Sequence, residues 1–363
     1  MIFKPQKKKT KDELKKLGLE IINDIENKKN PDIEIPIRAL SNIVFDKKTG
    51  QLTLGNKKSK RYFFNVAHSK KFMQTLLVGA FCKDLIDANI HASIRDMYYN
   101  LKRTFPDSNE NTFDEQSESD PIIVDLEVTL DILREHLHLT TDRKGIVAGN
   151  VAIEDRGDTI DWGKLGSGGW SIPSTVEEIR FKKVDAKFVL VVEKNAGFER
   201  LHEDKFWQKS KSILIGTGGQ PSRGTRLLIQ KLNQDYKLPV YVFTDSDSYG
   251  WYIYSVIKSG SISLAHVSDR IATPEAKFIG LSISDIYNYD LKKATIKAKE
   301  VDIKRAKEML KYEWFKSPGW QKEINLMIQK GVKAEIEALS HRGLKFMSET
   351  YLPEKLKKKD FLD

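Results

Sequence analysis

Val240-Tyr241-Val242-Phe243-Thr244-Asp245-Ser246-Asp247-Ser248-Tyr249-Gly250 is the stretch that decides the fold. Apolar, β-forming residues run into a cluster of turn residues, which predicts a buried strand that ends in a loop and is followed by a helix. Ligands of open α/β sheets bind just beyond the carboxyl ends of the strands, where Asp245 and Asp247 fall. Two carboxylates that alternate along a loop suit a hard divalent ion such as Mg²⁺, although aspartates are also common in turns for local hydrogen-bonding reasons.

A second predicted strand, Phe188–Val192, ends at Glu193. One more strand candidate, Ser212–Ile215, and two helical stretches separate Glu193 from Asp245, and this alternation predicts a parallel sheet. Parallel strands bring their carboxyl ends to one edge, so we expect Glu193 to meet Asp245 and Asp247 there. Burying three carboxylates together is costly unless a positive charge neutralises them.

Two interpretations of this carboxylate edge (Glu193, Asp245 and Asp247) stay open from the residues alone. In one, the three side chains hold Mg²⁺, which prefers carboxylate and water oxygens. In the other, the acids form ion pairs with basic side chains, for which the candidates are Lys194, Arg223 and Arg226.

The composition limits the class of protein. The chain has 363 residues, enough for two or three domains, and 40% of them are hydrophobic. A net charge of +10 and a pI of about 9.2 favour an anionic partner, nucleic acid before membrane. No apolar run approaches the ~20 residues of a membrane span. No signal peptide is recognisable, and the single cysteine excludes an intramolecular disulfide framework. We therefore expect a soluble, cytoplasmic and nucleoid-associated protein.

The periodic patterns divide the chain into four parts. We predict an N-terminal arm with a helix and short strands, a winged-helix domain, a linker, and an α/β domain with a helical C-terminal extension, over residues 1–68, 69–155, 156–183 and 184–363 respectively. The winged helix is predicted from amphipathic helices, one of them reaching Leu137, that precede a hairpin-like strand pair at 144–153. The linker is predicted from its high glycine content.

Within the predicted winged-helix domain, one helix carries Ile94-Arg95-Asp96-Met97-Tyr98-Tyr99, and Ser93 directly before it can cap this helix. Arg95 and Tyr99 share a face of that helix, and Tyr98 shares another face with Lys102. A tyrosine hydroxyl ordinarily has a pKa of about 10, so a nucleophilic tyrosine needs a partner that stabilises its phenolate. A guanidinium one turn away and a Mg²⁺ ion from another domain would do so, whereas a structural Tyr-Tyr pair has one ring in the core and the other at the surface.

A glycine-rich loop, Gly216-Thr217-Gly218-Gly219-Gln220-Pro221, precedes a helix that contains Arg223 and Arg226. No Gly-Lys-Ser/Thr follows the loop, so the sequence does not indicate a nucleotide-hydrolysing P-loop. A glycine turn that presents backbone N–H groups and an arginine to a DNA phosphate fits the pattern. The candidate DNA contacts are Lys102, Arg223 and Arg226.

Four motifs occur in the order of one known family: Ile94-Arg95-Asp96-Met97-Tyr98-Tyr99, Glu193-Lys194, Gly219-Gln220-Pro221-Ser222-Arg223 and Thr244-Asp245-Ser246-Asp247-Ser248-Tyr249-Gly250-Trp251-Tyr252. Together they resemble the A subunit of type IIB DNA topoisomerases (topoisomerase VI), which is similar to the transesterase that makes meiotic double-strand breaks. The resemblance covers about Glu34 through Pro353. It implies a winged-helix, catabolite-activator-like domain followed by a Toprim α/β domain.

The resemblance also implies a site and partners. Tyr99 matches the nucleophile that attacks a DNA phosphate and becomes linked to the 5′ end. Glu193 and Asp245 match ligands of Mg²⁺, and Asp247 matches the remaining acidic position. Glu193 is further expected to help proton transfer during religation. A homodimer of A subunits would cut double-stranded DNA, each tyrosine working with the metal site of the partner protomer. With a GHKL-type ATPase B subunit, the dimer would form an A2B2 enzyme that relaxes supercoils and decatenates DNA.

The chain departs from the family pattern at Asn195, where the family often has an acid, and at Ser246 and Ser248, which leave both aspartates intact. Two other functions are compatible with the sequence. One is a stand-alone double-strand-break transesterase or Toprim nuclease, and the other is a non-enzymatic winged-helix DNA-binding protein. Replacing Tyr99 by Phe separates the reaction classes. A transesterase would lose cleavage, a metal nuclease would still cut without becoming attached to DNA, and a binding protein would keep its full function.

Overall fold

The computed structural model of the chain describes residues 3–363, with side chains from Lys8 onward. The start of the predicted N-terminal arm, Met1 and Ile2, lies outside the described residues. The helices are α1 Phe3–Glu26, α2 Val66–Ala88, α3 Ile94–Leu101, α4 Ser119–Leu130, α5 Asn195–Glu203, α6 Phe206–Ser210, α7 Arg223–Tyr236, α8 Ser248–Ser259, α9 Ser268–Ile271, α10 Ile283–Asn288, α11 Glu300–Met309, α12 Pro318–Lys330 and α13 Leu352–Lys358. None of these helices is both long and apolar enough to span a membrane.

The strands are short, and most of them lie in the second half of the chain. They are β1 Asp32–Pro36, β2 Ile43–Asp46, β3 Gln51–Leu54, β4 Lys58–Tyr62, β5 Ala92–Ser93, β6 Leu139–Thr140, β7 Ile146–Ala148, β8 Val151–Asp155, β9 Asp158–Asp161, β10 Trp170–Ser171, β11 Arg180–Val184, β12 Phe188–Val192, β13 Ser212–Gly216, β14 Val240–Phe243, β15 Lys277–Gly280, β16 Ile296–Lys297 and β17 Val332–Lys333.

The chain forms two compact units. The first contains the residues through Val44 together with Leu54–Asp142, and the second contains Phe45–Thr53 and Arg143–Asp363. Each unit has hydrophobic core clusters of its own.

The first unit is mainly helical, with a core formed by apolar residues of α2, α3 and α4. Helix α3 begins with the predicted cap: the Asp96 N–H donates to Ser93 Oγ (3.0 Å) and the Ser93 N–H donates to Asp96 Oδ2 (3.2 Å), a capping box. The prediction that helix α4 reaches Leu137 is wrong, because α4 ends at Leu130. Asp131 adopts a left-handed conformation (φ 50°) that ends α4, and Leu137 enters the core from a separate 3₁₀ turn.

The second unit is organised by a six-stranded sheet in the order β10-β7-β13-β12-β14-β15. The predicted parallel pairing is confirmed for β13, β12, β14 and β15, because β12 is parallel to both β13 and β14, and β14 is parallel to β15. Every residue of β12 and β13 is buried, which explains their continuous apolar sequences. The sheet is mixed rather than purely parallel, since β7 and β10 add to one edge in antiparallel orientation.

The strand pair predicted around Gly149 and Asn150 does not form a hairpin, so it is not the ribbon of a winged helix. Strand β7 pairs with β10 and β13, whereas β8 pairs with β9 and β11 in a separate three-stranded sheet. The segment predicted to be a linker, residues 156–183, likewise contains β9, β10 and most of β11. The segment is rich in glycine but also contains two buried tryptophans, Trp162 and Trp170, whose indole rings stack with centroids 5.5 Å apart.

Candidate functional site: a carboxylate edge and a tyrosine helix

The carboxylate edge lies where two parallel strands end side by side. Val192 of β12 is in register with Phe243 of β14, so Glu193 and Asp245 follow adjacent strand ends. The Asp245 backbone N–H donates to Glu193 Oε2 (3.1 Å). The predicted meeting of Glu193 with Asp245 is therefore present in the structure.

Backbone N–H groups hold one oxygen of each of the three carboxylates. Asp245 Oδ1 accepts from the Ile336 N–H at 2.9 Å. Asp247 Oδ1 accepts from the N–H groups of Tyr249 (2.9 Å) and Gly250 (2.8 Å), which makes Asp247 the N-cap of α8. With the bond from Asp245 to Glu193, every acidic side chain of the edge has a fixed orientation.

Lysines face the other oxygens of the two aspartates. Lys194 Nζ lies 3.1 Å from Asp245 Oδ2 and is also within 3.1 Å of Glu335 and 3.0 Å of Glu337. Lys333 Nζ lies 3.7 Å from Asp247 Oδ2 and 3.0 Å from Asp302 Oδ2. Two lysine ammonium groups therefore lie beside the aspartates. The interpretation that the acids form ion pairs with basic side chains is correct for Lys194 and Asp245.

Burial raises the pKa values of Glu193 and Asp245. Burial, followed by the negative charge of Asp245, raises the pKa of Glu193 to about 7. Burial likewise raises the pKa of Asp245 to about 6, although the Ile336 N–H and Lys194 oppose that shift. An additional positive charge would stabilise the ionised carboxylates in this environment.

Two of the three acids of the carboxylate edge, Glu193 and Asp245, fit a bound Mg²⁺ ion. Across residues 3–363 no three or more His, Cys, Asp or Glu side chains are arranged to enclose a metal ion, so the predicted set of three ligands is not assembled here. Glu193 and Asp245 nevertheless fit a hard cation, because their oxygens are adjacent and their negative charges are destabilised by burial. Asp247 has only Oδ2 available, since Oδ1 caps α8.

The glycine-rich loop is attached to the backbone of Glu193. The Gly219 N–H donates to the Glu193 carbonyl (2.8 Å), and the Thr217 N–H donates to the Val192 carbonyl (2.9 Å). Gly218 and Gly219 have φ values of 61° and 86°, a region that favours glycine. The loop therefore positions the start of α7 next to the carboxylate edge.

Arg226 does not have the exposed position that a phosphate contact on the surface requires. Its side chain is 2% exposed on the inner side of α7, and burial lowers the pKa of its guanidinium to about 9. Neither Nε nor Nη2 has a hydrogen-bond partner among the described residues. The prediction that Arg226 contacts DNA is thus not supported by this structure, while Arg223 on the first turn of the same helix is only partly buried.

The two tyrosines of α3 differ in environment: Tyr98 is buried and hydrogen-bonded, whereas Tyr99 is exposed. Tyr98 is 6% exposed, its hydroxyl donates to the Asp114 carbonyl (3.0 Å), and Lys102 Nζ donates to the Tyr98 hydroxyl (3.0 Å). Tyr99 is 61% exposed, and the guanidinium carbon of Arg95 lies 5.9 Å from its ring centroid. In the described part of the chain the Tyr99 hydroxyl has no hydrogen-bond partner.

Some residues of the carboxylate edge were not found from the sequence. Lys333 and Ile336 come from a segment that is joined to the Asp-x-Asp loop by an isolated antiparallel bridge, Ser246 to Ala334. Ile336 lies 91 residues beyond Asp245 along the chain, and the segment has no motif of its own. Only the bridge brings it to the site.

The sheet and its acidic strand ends define the class of fold. Residues 188–356 match the model of the Toprim domain shared by the topoisomerase 6 A subunit and Spo11, so the second unit contains a Toprim domain. Residues 70–139 match the model "Type IIB DNA topoisomerase". Residues 144–185 match "All-beta domain in DNA topoisomerase VI alpha subunit", in agreement with the strands found where a linker was predicted.

Curated relatives match over nearly the whole chain, and each of them is named as the A subunit of type 2 DNA topoisomerase 6. The Pyrococcus abyssi relative is 45% identical, over 98% of this chain and 95% of its own length. The Sulfurisphaera tokodaii relative is 44% identical (100% and 98%), and the Methanocaldococcus jannaschii relative is 38% identical (98% and 96%). The chain belongs to the topoisomerase VI A-subunit family, the DNA-cleaving subunits of type IIB topoisomerases, which confirms the resemblance drawn from the motifs.

Proposed function

We propose that this chain makes and reseals a double-strand break in DNA, as the A subunit of an ATP-dependent type IIB topoisomerase, with Tyr99 as the nucleophile. The observation that carries the assignment to Tyr99 is the contrast within the tyrosine pair. The Tyr98 hydroxyl is hydrogen-bonded in the first unit, whereas Tyr99 is exposed beside Arg95. Of the two tyrosines, only Tyr99 can meet a DNA phosphate without breaking a hydrogen bond of its own unit.

The proposed reaction is a transesterification. Tyr99 Oη loses its proton to water and attacks the phosphorus, forming an O–P bond. The bond from phosphorus to the 3′ oxygen breaks, and that oxygen takes up a proton from water. The products are a 5′-phosphotyrosyl link and a 3′-hydroxyl, and religation is the reverse reaction. Arg95 would stabilise the negative charge that develops on Tyr99 and the phosphate.

The carboxylate edge is the proposed second half of the site. Glu193 and Asp245, with Asp247 through Oδ2, would hold Mg²⁺, which supplies charge stabilisation to the phosphate when it is bound. During religation Glu193, as an ionised carboxylate, would accept the proton of the attacking 3′-hydroxyl.

The domain roles and partners are part of the same proposal. Helices α2 to α4 of the first unit, with α3 as the presenting helix, would act as the winged-helix DNA-binding domain predicted over 69–155. Residues 184–363 would form the Toprim domain with its helical C-terminal extension. Lys102 and Arg223 are the proposed phosphate contacts. Two A subunits would form the cutting dimer, and GHKL-type B subunits would couple ATP to it in an A2B2 enzyme.

The test is a covalent-complex assay on supercoiled plasmid with Mg²⁺, a nucleotide analogue and a GHKL-type B subunit. It compares the wild type with Tyr99→Phe and with the matched control Tyr98→Phe. We expect protein-linked linear DNA from the wild type and from Tyr98→Phe, and none from Tyr99→Phe. Linear DNA without attached protein would identify a metal nuclease instead, and DNA binding without breakage in any sample would identify a binding protein.

A further inference from the structure

A second surface of the Toprim unit has the chemistry of a phosphate site. A groove of about 360 Å³ lies between α8 and α11. Tyr249 and Tyr252 line its α8 side, while the opposite side is lined by Lys304, Arg305, Glu308 and Tyr312. Tyr249 is 44% exposed, so the groove contains an aromatic ring accessible to a ligand.

Arg305 is the central side chain of this α8–α11 groove. Its guanidinium carbon lies 4.2 Å from the ring centroid of Tyr249 and 5.0 Å from that of Tyr252. Such contacts hold the guanidinium plane against aromatic faces and leave its N–H groups free to donate at the edge. The Arg305 side chain has no hydrogen bond and no ion pair within the described part of the chain. A planar, oriented guanidinium without a carboxylate is suited to bidentate binding of a phosphate.

The groove begins at the carboxylate edge. On one side, the Tyr249 N–H donates to Asp247 Oδ1 (2.9 Å). On the other, Lys333 Nζ lies 3.0 Å from Asp302 in the first turn of α11 and 3.7 Å from Asp247. Both walls are therefore joined to Asp247 at one end.

A second guanidinium reinforces the positive potential of the groove. Burial raises the pKa of Tyr252, while the charges of Arg305 and Arg226 oppose that rise, so both guanidinium groups are near this ring. Arg226 is almost fully buried, and its Nε and Nη2 have no partner in the described part of the chain. Lys304 and Arg305 in the lining, with Arg226 behind Tyr252, outnumber the single carboxylate of the groove, Glu308, and this balance favours an anionic ligand.

We propose that the α8–α11 groove binds the phosphates of the DNA strand adjacent to the cleaved phosphate, with Arg305 as the recognising side chain. The proposal rests on the proposed function, because it takes the carboxylate edge as the place of the cleaved phosphate. A strand that leaves that edge alongside Asp247 meets Tyr249 and Arg305 next. The ligand class is a phosphodiester, and the alternative source of the same chemistry is the phosphate group of a free nucleotide.

The experiment measures duplex binding by the full chain, without Mg²⁺, by fluorescence anisotropy over a range of salt concentrations. It compares Arg305→Gln with Lys307→Gln, a matched control that removes one positive charge from the same helix at an exposed residue outside the groove. We expect Arg305→Gln to weaken binding about fivefold to tenfold and to reduce the salt slope by about one. Lys307→Gln should stay within about twofold of the wild type.

Two further variants test the role of the aromatic clamp. Tyr249→Phe keeps the ring and should bind as the wild type does, whereas Tyr249→Ala should reproduce part of the loss seen with Arg305→Gln. Thermal unfolding of each variant identifies misfolding. If Arg305→Gln alone is unstable, Arg305→Lys, which keeps the charge and loses the planar fork, should bind with intermediate affinity.

Equal losses for Arg305→Gln and Lys307→Gln would overturn the proposal, because only the net charge would then matter. Stabilisation of the wild type by ATP that is lost in Arg305→Gln, with unchanged DNA affinity, would reassign the groove to a free nucleotide. Failure of the proposed function has a different signature. If Tyr99→Phe still cleaves DNA, the nucleophile is wrong, and the comparison of Arg305→Gln with Lys307→Gln keeps its meaning.

Discussion

Helix α3 and the carboxylate edge present their reactive groups in different ways. Tyr99 is 61% exposed and is oriented by an eight-residue helix whose start is fixed by one capping box. Asp245 is 7% exposed at the end of a central strand, with hydrogen bonds to segments distant in sequence. The nucleophile depends on local structure, and the acids depend on the tertiary structure of the sheet.

This difference suits the two chemical tasks. A nucleophile that must reach a phosphate within a large polymer has to project from the surface. Carboxylates that must hold a cation gain from low dielectric and fixed orientation, which is why their pKa values rise to about 7 for Glu193 and about 6 for Asp245. The cost is that the edge needs a positive charge, which Lys194 and Lys333 supply in this structure.

The largest expected effect is at the buried edge. Asp245→Asn keeps an oxygen for the Ile336 N–H but loses the charge that a cation needs. We expect cleavage to fall about a thousandfold, since metal stabilisation of a phosphate is worth several kcal/mol. Plasmid cleavage assays and Mg²⁺ titration calorimetry measure the two effects. Unchanged Mg²⁺ affinity would show that Asp245 is not a ligand.

The next largest expected effect is a pH dependence of stability and of Mg²⁺ affinity at the carboxylate edge, which has no counterpart at α3. Folded Glu193 holds its proton up to about pH 7, whereas an unfolded glutamate loses it near 4.5, so without Mg²⁺ this group lowers stability as pH rises between those values. Mg²⁺ binds the ionised form, so its affinity should fall about tenfold from pH 7 to pH 6, and more steeply below 6, where Asp245 also takes up a proton. Calorimetry on the wild type and Glu193→Gln measures both. Identical pH profiles for the two proteins would refute this assignment.

A smaller effect is expected at the capping box of α3. Ser93→Ala removes the acceptor of the Asp96 N–H and should lower the free energy of unfolding of the first unit by about 1 kcal/mol. Cleavage should decrease with it, because the helix that orients Tyr99 begins there, while Mg²⁺ affinity should not change. Ser108→Ala, at an exposed loop serine, is the matched control. Loss of Mg²⁺ affinity in Ser93→Ala would contradict the separation of the two regions.

The smallest effect is expected at Lys102. Its ammonium already donates to the Tyr98 hydroxyl and the Asp114 carbonyl, so it is only partly available to DNA. Lys102→Gln should weaken duplex binding about twofold to threefold. Salt-dependent anisotropy measures it, with Lys83→Gln as a control outside α3. A loss of tenfold or more would make Lys102 a principal contact and would give α3 a larger share of DNA binding.

Local features were predictable because they are encoded by neighbouring residues. Ser93 three residues before Asp96 encodes the cap of α3, and the apolar runs before Glu193 and Asp245 encode buried strands. Their parallel pairing followed from the helices between them. Errors arose where local pattern and tertiary packing diverge. The sequence of β7 and β8 looks like a hairpin, yet in the structure each of these strands pairs within a different sheet.

By itself the sequence determined the strand-end acids, the capped tyrosine helix and the family, because these are patterns of spacing that need no distant partner. Only the tertiary structure decided that Tyr98 is held and Tyr99 is free, that Arg226 is buried, and that Lys333 and Ile336 complete the carboxylate edge. The physical reason is burial. Exposure, desolvation and long-range hydrogen bonds depend on which surfaces pack together, and packing is a property of the whole fold.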